Sequence, residues 1–441
     1  MSKNKPLIQQ VSILEARAVQ IPYTEDQEKA LTKIQTVIDN LTNENQFFLL
    51  QGYAGTGKTT IVENIVRYAH SKKLETKIVA PTNKAAMVMT QKLSAAGISK
   101  IMATTIHKLI YKEKDKKTGL WKIKDRVAGQ ILIIDEASMV DTRMLIDIKQ
   151  VITTGCLVIF IGDSFQLPPV GNDPQLSWRG YNADHKVAMT QVTRQALDSD
   201  ILKVATAIRS KKQLIVPSFF SEEFQMLSEP DYITSIRADI KTHPSMVSVV
   251  SDNSTRIRHN ISLRKNKFGV DCDVVVPGET LISIANSDLR KNGEIFVIDD
   301  ILSKTVFEVE INNSMLVAYK LEVSTRGFAE TVYLFPDYVG SSLSREMVIA
   351  RGIPDEIRED VRFTKNGKWL ESHIVIATYG YCITAHKSQG SQWDKVYVMQ
   401  SRLGDDSARW LYTAITRASK QVVLYAKPEY KQYDREKLEE I

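Results

Sequence analysis

Cysteine is nearly absent from this chain: Cys156, Cys272 and Cys382 are its three cysteines, far apart in 441 residues. An odd count without paired spacing excludes a disulfide framework and a cysteine-based zinc site, so these read as structural thiols. No apolar run is long enough to cross a bilayer, and the N-terminus, Met1-Ser-Lys-Asn-Lys, is polar with no apolar core after it. Membrane spanning and secretion are therefore not expected, and a cytoplasmic location is. Internal repeats and low-complexity tracts are also missing. Nor is there a strong charge of one sign. The formal +6 and sequence pI of 8.9 lean towards a polyanionic partner, but they suit an ordinary solvated surface equally well.

What is present is ordinary globular material, with 43% hydrophobic and 25% charged residues. The length exceeds what one core usually organises, so two or more domains are expected. Tyr23 to Leu41 has helical spacing with Thr24 as N-cap. Apolar runs at Phe47–Leu50, Lys77–Ala80, Ile131–Ile134 and Leu157–Ile161 each precede a turn, and helices are expected near Lys58 and from Asn83. Short apolar strands alternating with helices predict an α/β fold, a parallel sheet covered on both faces.

Two segments break this rhythm. Tyr111 to Gln130 is polar, with lysines around Thr118-Gly119, and predicts a projecting β-hairpin. From Asp300 to about Leu370 the residues alternate, as in Val306-Phe-Glu-Val-Glu-Ile and Ala318-Tyr-Lys-Leu-Glu-Val around Asn312-Asn313, which predicts a small all-β insertion. Parallel-type strands are then expected again at Ile374–Thr378 and Val396–Met399.

Gly52-Tyr-Ala-Gly55-Thr56-Gly57-Lys58-Thr59, followed by Thr60, fits G-x-x-x-x-G-K-[ST] between a strand and a helix. The glycines let backbone N–H groups curl around phosphate oxygens, Lys58 reaches the β and γ phosphates, and Thr59 is placed to ligate magnesium. Asp135 and Glu136 end an apolar strand, where Asp135 suits the magnesium water shell and Glu136 an attacking water. Gln166, after the next strand, suits a bond to the γ-phosphate or that water, although Pro168-Pro169 also accounts for a plain turn there. Gln27 lies on the first helix, where a side-chain amide suits adenine N6 and N7, as well as plain solvent exposure.

The ordered series GYAGTGKTT at Gly52, APTNKAA at Ala80, ATTIHKL at Ala103, IIDEASMVD at Ile133, IGDSFQLPPV at Ile161, QVTRQ at Gln191, ITAHKSQGSQWDKV at Ile383 and LYTAITRAS at Leu411 resembles superfamily-one DNA helicases of the Dda and RecD-like branch. That resemblance implies two RecA-like, doubly wound parallel-sheet domains with ATP and Mg2+ between them. The first would span 21–110 and 131–188 and the second 189–299 and 371–441, with a hairpin insert at 111–130 and a small SH3-like β-barrel insert at 300–370. Arg194 and Arg417 match the arginines that reach the γ-phosphate, Arg417 as the finger from the second lobe; either would also suit an interlobe salt bridge.

The same resemblance places single-stranded DNA along Thr82, Asn83, Thr105, His107, Thr384, His386 and Ser388, with Gly390 permitting close backbone approach to nucleotide or phosphate. Both histidines suit equally a core position satisfied by carbonyls. Trp121 or Leu120 near the hairpin turn would stack on the first base pair, or else pack the hairpin onto its own domain. The implied activity is ATP-driven 5′-to-3′ unwinding by a monomer-competent enzyme in a bacterial or phage-infected cell. It would act on single-stranded, forked or tailed duplex DNA, alongside single-strand-binding or replisome proteins. An RNA helicase of the same superfamily and a nucleotide-dependent loading protein are the alternatives.

Overall fold

A computed structural model of the chain describes residues 22–114, 121–124, 129–169, 183–193, 198–269, 275–285, 287, 289–311, 313–338, 374–400 and 404–441. The first half opens with α1 (Glu25–Asp39), entered through a capping box: Thr24 Oγ1 accepts from Gln27 N, and Gln27 Oε1 from Thr24 N. Its strands are β1 (Gln46–Gly52), β2 (Thr76–Ala80), β3 (Thr104–Thr105), β4 (Tyr111–Lys114), β5 (Trp121–Ile123), β6 (Ile131–Ile134), β7 (Leu157–Gly162) and β8 (His185–Met189). Between them run α2 (Lys58–Ser71), α3 (Asn83–Ala95), α4 (Ile106–Ile110) and α5 (Thr142–Val151).

Six of these strands form one parallel sheet in the order β3-β2-β6-β7-β1-β8. Side chains alternate across it. Phe48 and Leu50 join Ile34 of α1 and Ile61 and Ile65 of α2 on one face, whereas Leu49 meets Ile148 of α5 on the other. The central strands β6 and β7 are buried on both faces, which is why they are apolar throughout. β4 and β5 pair antiparallel outside this sheet; the residues joining them, Leu120 among them, lie outside the described residues.

The second half contains β9 (Ile215–Pro217), β10 (Phe224–Leu227), β11 (Met246–Val250), β12 (Thr280–Ser283), β13 (Ile295–Val297), β14 (Asp300–Ile311), β15 (Ser314–Thr325), β16 (Phe328–Leu334) and β17 (Ile374–Tyr379). β18 (Cys382–Thr384), β19 (Trp393–Met399), β20 (Ala418–Tyr425) and β21 (Lys431–Tyr433) complete it. Its helices are α6 (Asp200–Lys211), α7 (Glu229–Thr242), α8 (Asn253–Phe268), α9 (Ala385–Ser388), α10 (Ser407–Ile415) and α11 (Arg435–Glu439).

A second parallel sheet runs β10-β20-β19-β11-β18. A third, mixed sheet runs β13-β12-β17-β16-β15-β14, built on the long antiparallel pair β14 and β15. The strand expected at Ile374–Thr378 does form, but it belongs to this third sheet: β17 runs parallel to β16 and antiparallel to β12. An apolar run shows that a strand is buried, not which partner it takes.

The second and third sheets share one hydrophobic cluster, in which Tyr232, Val250 and Tyr397 meet Leu281, Tyr319, Leu321, Val332 and Tyr379. Cys156 and Cys382 are buried free thiols, and burial pushes them up to about 11 and about 12, as inert structural cysteines require. Cys272 lies outside the described residues. Among the described residues no helix is long and apolar enough to cross a membrane.

Candidate active site

The carboxyl ends of the parallel strands carry nearly every motif, as a doubly wound sheet dictates. β1 delivers the phosphate loop. Gly55 and Gly57 take left-handed φ angles of 77° and 79°, which glycine adopts without the steric cost a side chain brings. Gly52 is fixed by space instead: a Cβ there would lie 2.8 Å from Lys58 Cγ and from Thr56 Oγ1. The loop turns directly into α2, so its N–H groups and the helix dipole face one volume. Lys58 Nζ donates to Gly52 O at 2.8 Å and Tyr53 O at 2.7 Å. Burial holds its ammonium below the ordinary lysine value against the fields of Asp163, Glu136 and Asp135, while the charge of Arg417 adds to the depression. Thr56 is buried with its hydroxyl on Tyr53 O, and Thr60 is exposed on α2.

Asp135 follows β6 directly, and its N–H donates to Val79 O at 2.9 Å. Glu136 then takes a left-handed φ of 50°, a turn costing a non-glycine residue about 1–3 kcal/mol, and both residues line the cleft beside the loop. Burial, and next the neighbouring Glu136, push the Asp135 carboxyl up to about 7. Glu136 Oε2 is buried with no hydrogen-bond partner among the described residues. Two half-buried carboxylates lining the same cleft as Thr59 fit a hard divalent cation such as Mg2+. Among the described residues no group of three or more His, Cys, Asp or Glu side chains is placed to hold a metal ion by itself.

These groups line a cleft of about 720 Å³ together with Gln166, and the opposite wall comes from the second half of the chain. There stand Gly390, Thr416 and Arg417, with Ser199 and Glu223. Arg417 is buried, and its orientation is built on the end of α10: Nε donates to Thr413 O and Nη2 to Thr416 Oγ1, each at 3.1 Å. Gly390 has a φ of 71° and sits so close to α3 that a Cβ would lie 3.0 Å from Ala85 Cβ. Arg194 lies outside the described residues.

Gln27 is buried, not solvent-facing: Nε2 donates to Thr56 O at 3.0 Å while Oε1 completes the capping box. It braces the phosphate loop from behind.

The residues expected along DNA follow β2, β3 and β18. Thr82 and Thr105 cap α3 and α4, accepting from Ala85 N and Lys108 N at 3.1 Å each, with Asn83 as the first residue of α3. The His107 ring lies 5.3 Å from that of Tyr111. Thr384 precedes α9 and makes no side-chain cap bond. Burial lowers the His386 imidazole, offset in part by a hydrogen bond with the Pro168 backbone. Ser388 is buried and donates to Ala385 O at 2.7 Å, inside its own turn. Trp121 begins β5, and its side chain lies outside the described residues.

Motif reading missed three groups. Lys92 donates to Thr59 Oγ1 at 3.3 Å, and Lys84 lies 4.5 Å from the ring centre of Trp393 in the second half of the chain. Tyr412 reaches the phosphate loop itself. Lys84 and Tyr412 fall inside the APTNKAA and LYTAITRAS runs without a role assigned to them there, and Lys92 is an ordinary helix residue by sequence.

The fold and cleft define a P-loop NTPase with its site between two parallel-sheet halves. Residues 23–237 match the model of an AAA domain, and residues 379–425 that of a UvrD-like helicase C-terminal domain. The RecBCD enzyme subunit RecD of Buchnera aphidicola is 23% identical over 90% of this chain and 73% of that protein. The ATP-dependent RecD2 DNA helicase of Deinococcus radiodurans is 24% identical over 88% of this chain, and the ATP-dependent DNA helicase dda of Enterobacteria phage T4 is 26% identical over 67%. The chain spans 48% of the RecD2 protein and 66% of dda. A crystal structure of Pif1 helicase from Bacteroides with ADP-AlF3 and single-stranded DNA matches 92% of each chain at 18% identity and a TM-score of 0.47. Together these matches support a superfamily-one helicase of the RecD and Dda branch.

Proposed function

We propose that this chain is an ATP-dependent DNA helicase that moves 5′ to 3′ on single-stranded DNA and unwinds duplex. The observation that carries the reading is that Arg417, from the second half, lines the same cleft as Lys58, from the first. On this reading Lys58 and the loop N–H groups hold the β and γ phosphates, and Glu136 takes the proton of the attacking water. Gln166 orients that water. Thr59 and Asp135 would hold Mg2+, which supplies charge neutralisation on the phosphates. Arg417 stabilises charge developing on the equatorial oxygens, an effect worth roughly 10³ to 10⁵ in rate for such arginines.

Hydrolysis then requires the halves to be together, and release of phosphate lets them part. Residues after β2, β3 and β18 hold the strand by hydroxyls and backbone without reading sequence. The division into two RecA-like lobes, a wedge hairpin at 111–130 carrying Trp121, and a barrel-like insert belongs to the same proposal, as does the γ-phosphate role of Arg194. The test is strand displacement on duplexes with a 5′ or a 3′ overhang, with and without ATP. Unwinding only of the 5′-tailed substrate is expected. Unwinding only of the 3′-tailed one would reverse the direction and spare the motor, whereas ATP-independent or absent unwinding rejects the helicase reading.

A further inference from the structure

α10 does more than carry an arginine at its end. Tyr412 is buried, and its hydroxyl accepts the N–H of Ala54, inside the phosphate loop, at 3.0 Å. The same hydroxyl donates to Asp163, fully buried just after β7. Asp163 also accepts from Phe165 N at 2.9 Å and faces Arg209 of α6 at 3.4 Å. The next residue, Thr413, accepts from Leu167 N at 3.0 Å, and the Tyr412 ring stands edge-on to Phe165 at 5.3 Å. Two consecutive side chains thus pin one helical turn of the second half to two loops of the first.

The turn they pin is the one that orients Arg417. Thr413 O receives Arg417 Nε, and Thr416 Oγ1 receives Arg417 Nη2 while donating to Tyr412 O at 2.8 Å. A phenol has one proton to give and lone pairs to accept with, and here both capacities are used. Burial keeps the Tyr412 phenol well above its ordinary pKa, so it stays a donor to Asp163. Apolar packing against Phe165 would hold the ring without any hydroxyl. The hydroxyl, by contrast, measures the distance from α10 to one particular N–H of the phosphate loop.

We propose that Tyr412 is a positioning residue that locks the end of α10 to the phosphate loop through Ala54 and Asp163, and thereby sets the reach of Arg417 into the cleft. This rests on the ATPase reading above. Removing the hydroxyl leaves the Ala54 N–H and one Asp163 oxygen short of partners only where the two halves meet. The loss therefore falls on the closed arrangement, not on nucleotide binding by the first half.

The test compares the affinity of the full chain for ADP with that for ADP plus aluminium fluoride, in magnesium and oligo(dT). Wild type should prefer the fluoride complex. Tyr412→Phe should lose about tenfold of that preference, the scale of one buried polar group left unpaired, with the ADP Kd within about twofold of wild type. In the Arg417→Ala background the same change should cost nothing further. An intact preference in Tyr412→Phe, equal weakening of both ligands, or full multiplication of losses in the double variant overturns the proposal. Should Tyr412→Phe fail to fold, Thr413→Val cuts the neighbouring tie of the same helical turn, to Leu167 N, and should likewise lower the fluoride preference at an unchanged ADP Kd; an intact preference there overturns the pinning. A wild type that shows no preference rejects the ATPase reading, and the positioning role with it; a wild-type preference that survives in the variant rejects the positioning role alone.

Discussion

Gly57→Ala separates two reasons for a glycine in the phosphate loop. The backbone there has a φ of 79°, and an added Cβ would lie 2.3 Å from Gln27 Nε2. Forcing an L side chain into the left-handed region costs about 1–2 kcal/mol. Gln27 cannot step aside cheaply. Its Nε2 holds Thr56 O and its Oε1 holds the Thr24 N–H, so moving it undoes the α1 capping box, worth about 0.5–2 kcal/mol. Together these give a loss of roughly 2–4 kcal/mol in the first half of the chain. At about 2–4 °C per kcal/mol for units of this size, melting should fall by roughly 5–15 °C. Thermal unfolding of wild type, Gly57→Ala, Gln27→Ala and the double variant resolves the parts. Because Gln27→Ala removes the atom struck, the double variant should melt well above the sum of the two single losses. Additive losses, or a Gly57→Ala protein that melts with wild type, would refute the account of Gln27 as the brace behind the loop.

Three further outcomes are expected. Arg417→Ala should keep ADP and DNA affinity while ATP turnover falls by about 10³ or more, and normal turnover would reject the split site. Burial lowers Lys84 to about 8 from 10.5, so between those values the folded chain holds fewer protons than the unfolded one, and stability relative to Lys84→Met must rise with pH across that window. Parallel melting profiles for the two proteins would contradict it. Thr105→Ala should cost about 0.5–2 kcal/mol in denaturant unfolding through loss of the α4 cap and should also weaken oligo(dT) binding, with Thr105→Ser restoring both; unchanged DNA affinity would take Thr105 off the strand path.

The parts of the site that were legible are local. Gly52 to Thr59 and Asp135-Glu136 sit where a strand hands over to a turn, so the residues that do the chemistry also carry the pattern that exposes them. Thr24 was legible for the same reason, since a cap acts within one turn. Tyr412 was not, because its partners Ala54 and Asp163 are far away in sequence and nothing in Leu-Tyr-Thr-Ala-Ile announces a hydrogen bond across a cleft. For Ser388 the sequence showed a hydroxyl but not its partner, the Ala385 carbonyl of its own turn. The strand at Ile374–Tyr379 was found and its sheet was not, since pairing is decided by residues elsewhere in the chain.

The cluster shared by the second and third sheets has a mechanical corollary. Tyr319, Leu321 and Val332 are interior residues of the same hydrophobic mass as Val250 and Tyr397, so the mixed sheet cannot swing against its neighbour as a tethered module would. Any displacement of the second sheet therefore carries the mixed sheet along, as a handle carries the blade of an oar. Excising β14 to β16 would therefore strip the blade and split the handle as well.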